Sequence, residues 1–286
     1  MLSIEKDGLL VELCSPGEYY RGTRFDHAGV FRRIVMDGYV FADEWFTGSD
    51  PLTHDHVCGL SEEFVTVNFE GVAPGALFCK PGVGLLRRPD DAPYDWFHLY
   101  EIVVPGEWKV EAGPESVRYE HRLEGWYRYV KEISLQDGGR LEIFHRLEWE
   151  ADRPLEGFFY NHNFLTFDGA PVGPSRSIRF PWRPAGHWRS VYDNVGFSPR
   201  AIEFTDEVAP GSSVYCGDVH NADGETSCEF SVMEGEYRVD VLGDRPLDHL
   251  VFWSNPRVAC PEPYVPLSVR KGESAAWRFS YRFSRG

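Results

Sequence analysis

The chain has 286 residues, 29 of them Lys or Arg and 45 Asp or Glu, for a formal net charge of −16. An acidic chain lacks the cationic surface on which phosphate-backbone binding depends, so nucleic acid and anionic membrane surfaces are excluded as principal partners. At 42% hydrophobic and 15% aromatic residues, it also lies outside the disordered and collagen-like classes.

The opening MLSIEKDGLL carries acidic residues where a secretory leader has a basic region and a long apolar run. No stretch approaches the 18 or more apolar residues of a membrane helix. A cytoplasmic location is expected. Cysteines at 14, 58, 79, 216, 228 and 260 form no CxxC pair and no tight framework, which predicts free thiols. Short runs rich in Val, Ile, Phe, Tyr and Trp, separated by Gly, Pro, Asp and Asn, predict strands at 64–69, 97–103, 116–123 and 126–135.

The segment 126–149 is the clearest unit, because two alternating runs flank Gln136-Asp137-Gly138-Gly139, a sequence built to turn with positive φ. In its second strand Leu141, Ile143, His145, Leu147 and Trp149 share one face, and the other is mostly charged. Lys131, alternating with Tyr127 and Tyr129, reads as a strand-edge lysine or one that reaches a cleft. Arg87-Arg88 before Pro89-Asp90-Asp91 reads as a solvated turn; lining a cleft instead, two guanidiniums would suit a phosphate or uronate. The proline-rich stretch 170–188 reads as a long loop over a binding face. With 20 Pro and 28 Gly, few windows are long enough for a helix. Length alone would allow two domains of roughly 150 residues. Because strand patterning is continuous and no repeat is visible, a single all-β domain over 1–286 is expected.

Tyr160-Asn161-His162-Asn163-Phe164-Leu165 is the sharpest local signal. A histidine between two asparagines at the end of an aromatic strand can have its tautomer fixed by them and pass a proton to a ligand; the alternative is an ordinary loop histidine. His54, His56 and Glu62 together invite a metal reading, since histidines two apart on a strand share a face. The gap to Glu62 is too long for a cupin-like set, and no metal is expected. No Walker loop, GxGxxG, GxSxG or HExxH is present, so nucleotide, serine hydrolase and zincin readings lack support.

The run EWEADRPLEGFFYNHNFLTFDG resembles the aldose 1-epimerase (galactose mutarotase) family, in which an Asp-x-Pro-Thr type segment leads into Asn-His-x-x-Phe-x-Leu. Asp152-Arg153-Pro154 and Asn161-His162-Asn163-Phe164-Leu165 take those places, with one residue fewer between His and Phe. Tyr19-Tyr20-Arg21-Gly22-Thr23-Arg24-Phe25 looks like the family's strand bearing a sugar-binding arginine. Cys260-Pro261-Glu262-Pro263-Tyr264, followed by a closing strand over 276–283, looks like the segment bearing its catalytic base.

The resemblance implies a β-supersandwich, with large antiparallel sheets and a sugar cleft on a concave face. It makes Glu262 the general base, on a turn stiffened by Pro261 and Pro263, His162 the general acid and Arg24 a substrate binder. The family's His-Gly pair has no counterpart here; His54 or His56 takes its place, His56 being favoured as nearer Gly59. Asp218 corresponds to a further acidic residue by order alone. The implied activity is anomer interconversion of a sugar without cofactor or metal, on a neutral monosaccharide by default. The alternatives are a lyase, hydrolase or isomerase acting on a modified sugar, and a non-catalytic sugar-binding protein. A bare loop carboxylate is the competing reading of Glu262, and the oligomeric state is left open.

Overall fold

The computed structural model describes all residues of 1–286 except Ser49, Thr66 and Val67. Its organising unit is the expected hairpin. Strands Tyr127–Gln136 and Arg140–Trp149 pair from Gln136↔Arg140 to Tyr127↔Trp149, and Gly138 and Gly139 between them take φ of 74° and 70°. Two successive positive φ values give the tight turn a twist matching that of the strands, and glycine reaches them without steric cost. Leu141, Ile143, His145, Leu147 and Trp149 are all buried.

This hairpin lies within a ten-stranded antiparallel sheet. On one side of it follow Ser116–Leu123 and Glu107–Ala112; on the other come Ser274–Arg285, Tyr237–Gly243, Glu229–Glu234, Arg176–Arg179, Ala201–Phe204 and Val195–Ser198. A second, six-stranded sheet runs Pro184–Ala185, Val214–Asn221, His249–Ser254, Ala259–Val269, Leu155–Phe164, Gly59–Val65. Phe64 and Phe159 of the smaller sheet pack on Tyr129 and Trp277 of the larger, with ring centroids 4.8–5.9 Å apart. The result is an all-β sandwich of large antiparallel sheets, in which alternation along each strand sends one face into the shared core. A four-stranded sheet from Leu2–Lys6 to Tyr39–Ala42 and a three-stranded one from Leu77–Lys80 to Ile102–Val104 complete it. Among the described residues there is no α-helix, only a 3-10 turn at Phe69–Gly71. All six cysteines are buried free thiols.

Several local expectations need correction. In 97–103 only Ile102 onward is strand. The strand expected over 64–69 ends at Val65; residues 66–67 lie outside the described residues, and Phe69 starts the 3-10 turn. The supposed loop 170–188 contributes Arg176–Arg179 to the large sheet and Pro184–Ala185 to the smaller. Lys131 is not at an edge. Its strand is paired on both sides, and its ammonium lies between the sheets, 2.6 Å from Glu62 Oε2, donating also to the Ala28 carbonyl at 2.7 Å. Burial opposes ionisation of Glu62, but His145 and Lys131 outweigh it and hold its pKa below the ordinary value. Asp26, accepting from Tyr129 nearby, is pushed up to about 7 by the same burial.

Candidate active site

The cleft is built on the face of the six-stranded sheet that looks away from the large one. Alternation decides which side chains reach it. Along Leu155–Phe164, Tyr160, His162 and Phe164 take the cleft side, whereas Asn161 and Asn163 bond to groups of the core. Pairing of this strand with Ala259–Val269 runs from Leu155↔Val269 to Tyr160↔Tyr264. Two residues further along each strand stand His162 and Glu262, on the same face and next to each other. His162 Nε2 is 3.2 Å from Glu262 Oε1. Both residues line a cleft of about 440 Å3, with Arg24, His54, Trp253 and Tyr264 among its other walls.

Glu262 therefore stands on a strand, not on a proline-stiffened turn, and is 3% exposed rather than solvated. His162, too, is a strand residue. Its ring stacks on Phe164 at 3.9 Å and 3°, and Phe25 and Trp253 meet it edge-on. The asparagines that were to fix its tautomer face the other way, and Nδ1 has no hydrogen-bond partner among the described residues. Apolar packing and Glu262 orient the imidazole.

Arg24 sits on a loop, not the expected strand. The Tyr20 hydroxyl pins that loop by accepting from the N–H groups of Arg24 and Phe25 at 3.1 and 3.3 Å. The guanidinium reaches Glu63 Oε2 at 3.2 Å and the Tyr160 hydroxyl at 3.1 Å. Lys80 bonds the other oxygen of Glu63 at 2.7 Å. Arg24 and Lys80 thus share one buried carboxylate, and of this group Arg24 and Glu63 act on Glu262, in opposite directions.

His162 and Glu262 have the geometry of an ion pair, yet their surroundings disfavour charge on either. Burial pushes Glu262 up to about 8; Arg24 lowers its pKa and Glu63 raises it. Burial, aided by the Arg24 charge, holds His162 well below the ordinary imidazole value. Near neutrality the two therefore share one proton, resting on the carboxyl. A protonated carboxyl with a neutral imidazole and a carboxylate with an imidazolium are one protonation state of the pair, interconverted by a shift across 3.2 Å.

The remaining nominated residues divide. His54 lines the cleft and packs on Phe97 at 4.6 Å. His56, the favoured choice, instead packs between Tyr19 and Phe46 at 4.3 and 4.9 Å, outside the lining. Glu62 faces the intersheet core, opposite to its neighbour Glu63, so His54, His56 and Glu62 do not converge as a metal set. Asp218 turns to His187, accepting at 2.6 Å from both Nδ1 and the backbone N–H; a register shift after Cys216 lies between it and Tyr215, the residue of that strand lining the cleft. Arg88 is buried elsewhere, donating to the carbonyls of Phe69, Val72, Asp90 and Ala92, and Arg87 pairs with Glu101. Sequence reading missed Glu63, Lys80 and Tyr160 around Arg24, and Arg189 in the cleft wall. Glu63 stands opposite Tyr160 in the register, a relation that only strand pairing reveals.

No protein-family model matches the chain, and no curated protein matches it by sequence. Solved structures do. A candidate aldose 1-epimerase from Escherichia coli K12 matches over 99% of this chain and 98% of its own, with a TM-score of 0.62 and 12% identity. The fold is galactose mutarotase-like. A galactose mutarotase-like protein from Clostridium acetobutylicum matches 99% of this chain and 95% of its own, with TM-score 0.58 and 12% identity. A galactose mutarotase related enzyme from Lactobacillus acidophilus matches 99% and 97%, with TM-score 0.57 and 11% identity. The mutarotase-like architecture thus extends over nearly the whole chain on both sides of each comparison.

Proposed function

We propose that the protein is a carbohydrate-active enzyme that interconverts the anomers of an aldose by acid–base exchange. The observation that carries this reading is the pair itself: His162 Nε2 and Glu262 Oε1 stand 3.2 Å apart on the cleft floor, close enough to pass a proton between them. Ring opening needs a base to take the proton of the C1 hydroxyl while an acid delivers one to the ring oxygen, as the bond from C1 to that oxygen breaks. The open-chain aldehyde turns about its C1–C2 bond. Closure on the other face reverses both transfers and returns the pair to its starting state.

Glu262 acts as base once the shared proton has crossed to His162, and the imidazolium then serves as acid. Arg24 acts on the two members in opposite senses: its charge stabilises the Glu262 carboxylate and disfavours the His162 imidazolium, which keeps that acid ready to give up its proton. Trp253 and Tyr264 offer apolar surface to a sugar ring, and His54 and Arg24 offer polar contacts to its hydroxyls. The names of the solved neighbours support the same reaction class. With −16 on the chain, a neutral aldose is the default substrate.

The test is saturation-transfer NMR of anomer exchange across common hexoses and pentoses. Accelerated exchange that disappears in Glu262→Gln is expected. No acceleration for any sugar, or full activity in that variant, refutes the proposal. A change in substrate mass would assign a lyase or hydrolase instead, and a ligand-induced thermal shift without turnover would assign a binding protein.

A further inference from the structure

We infer that Asn163 is a positioning residue, whose buried side-chain amide ties the two strands together where their backbone pairing has ended and so sets the separation of His162 from Glu262. This rests on the acid–base reading above. The paired positions between Leu155–Phe164 and Ala259–Val269 stop at Tyr160↔Tyr264, short of both reacting groups. Beyond that point the second strand presents Pro263 and Pro261, neither of which has an N–H to donate. The second strand keeps its ladder on the other side, through Val251↔Glu262 to Ser254↔Ala259, so what lacks backbone pairing is the seam between the strands that carry His162 and Glu262.

Asn163 supplies the missing tie. It directly follows His162, and its Nδ2 donates to the carbonyl of Pro261 at 2.6 Å, one peptide from Glu262. Its Oδ1 accepts from the Tyr281 hydroxyl at 3.0 Å, so the amide is clamped from the large sheet as well. The Pro261 carbonyl can only accept, so it alone fixes the orientation of the amide, and the Tyr281 hydroxyl then donates to Oδ1. Both side chains, Asn163 and Tyr281, lie in the core, where a hydrogen bond faces little competition from water.

Asn161, on the other flank of His162, provides an internal comparison. It is equally buried and donates to Glu62 Oε1 at 2.6 Å. On that side, however, the backbone pairing continues without a break from Phe158↔Val65 to Phe164↔Gly59 and passes the catalytic position at His162↔Ser61. The Asn161 bond duplicates a ladder; the Asn163 bond replaces one.

Asn163→Ala is expected to lower kcat for anomer exchange by about 10- to 100-fold, the usual cost of loosening a supporting contact, with KM changed by less than about threefold. The Glu262 limb of its pH profile is expected to move down, since a carboxyl drawn away from the dry contact with His162 gains solvent while Arg24 and Glu63 stay in place. Tyr281→Phe, a milder change that keeps the ring, should move both quantities the same way by less, and is read alone if Asn163→Ala does not fold. Asn161→Ala should lower Tm but leave kcat and the pH profile near those of the parent. If Asn163→Ala and Asn161→Ala lose Tm alike and both keep the parent's kcat and pH profile, the inference is overturned. If the parent exchanges no sugar, the acid–base reading fails separately, and the tie is then judged by a carbon-detected NMR titration of the Glu262 carboxyl in parent, Asn163→Ala and Tyr281→Phe. An unchanged titration in the variants overturns it.

Discussion

Replacing Glu262 by Gln exchanges a carboxyl that burial keeps protonated up to about pH 8 for a neutral group of nearly the same shape. In the unfolded chain the same carboxyl titrates near 4.5. Between those values the unfolded state binds fewer protons than the native one, so native stability declines as pH rises. The contribution is fully present below the unfolded value and is lost by the time pH has passed the folded one. At about 1.4 kcal/mol per pH unit, the separation from 4.5 to about 8 corresponds to about 5 kcal/mol, of which about 3 kcal/mol are gone near neutrality. The Gln variant has no proton to lose and no such slope. Urea denaturation of parent and variant near pH 5, 7 and 9 checks this. The variant is expected to gain about 4 kcal/mol on the parent between the two ends, while losing anomer exchange throughout. A stability difference that stays constant from pH 5 to pH 9 refutes the reasoning, because it would mean that Glu262 titrates alike in both states.

The pair also sets a pH profile for activity. With one shared proton required, kcat/KM should be flat through neutrality, fall above about pH 8 as Glu262 empties, and fall on the acid side only well below the ordinary imidazole value, where His162 takes a second proton. Lys131→Met should destabilise the fold by about 3 kcal/mol, since it takes the ammonium from the buried Glu62 carboxylate and leaves it only His145 and Asn161, and adding Glu62→Gln should restore much of that loss in urea titrations. Arg88→Ala, which leaves four backbone carbonyls without their guanidinium, should cost about 3 kcal/mol in the same assay and leave sugar affinity untouched by calorimetry. His54→Ala should weaken sugar binding by about tenfold, whereas His56→Ala should lower Tm without changing affinity.

Local chemistry by itself determined the strand-rich class, the 126–149 hairpin with its glycine turn, and the division of residues 141–149 into an inward and an outward face. Each depends on steric preferences and a period of two that act over a few residues. Motif order also nominated His162 and Glu262. What it could not supply was which partner lies across each strand. Glu62 and Glu63 are indistinguishable as neighbours in the chain, yet one pairs with Lys131 between the sheets and the other with Arg24 and Lys80 at the cleft. Lys131 and Arg88 have surface-like side chains, and only the strands and loops closing around them reveal that they are core struts. His54 and His56 share a strand-like spacing, but the loop that carries them sends one to the cleft and the other to an aromatic packing site. The raised pKa of Glu262 is of the same kind. It follows from burial and from the charges of Arg24 and Glu63, which long-range pairing brings together from distant parts of the chain.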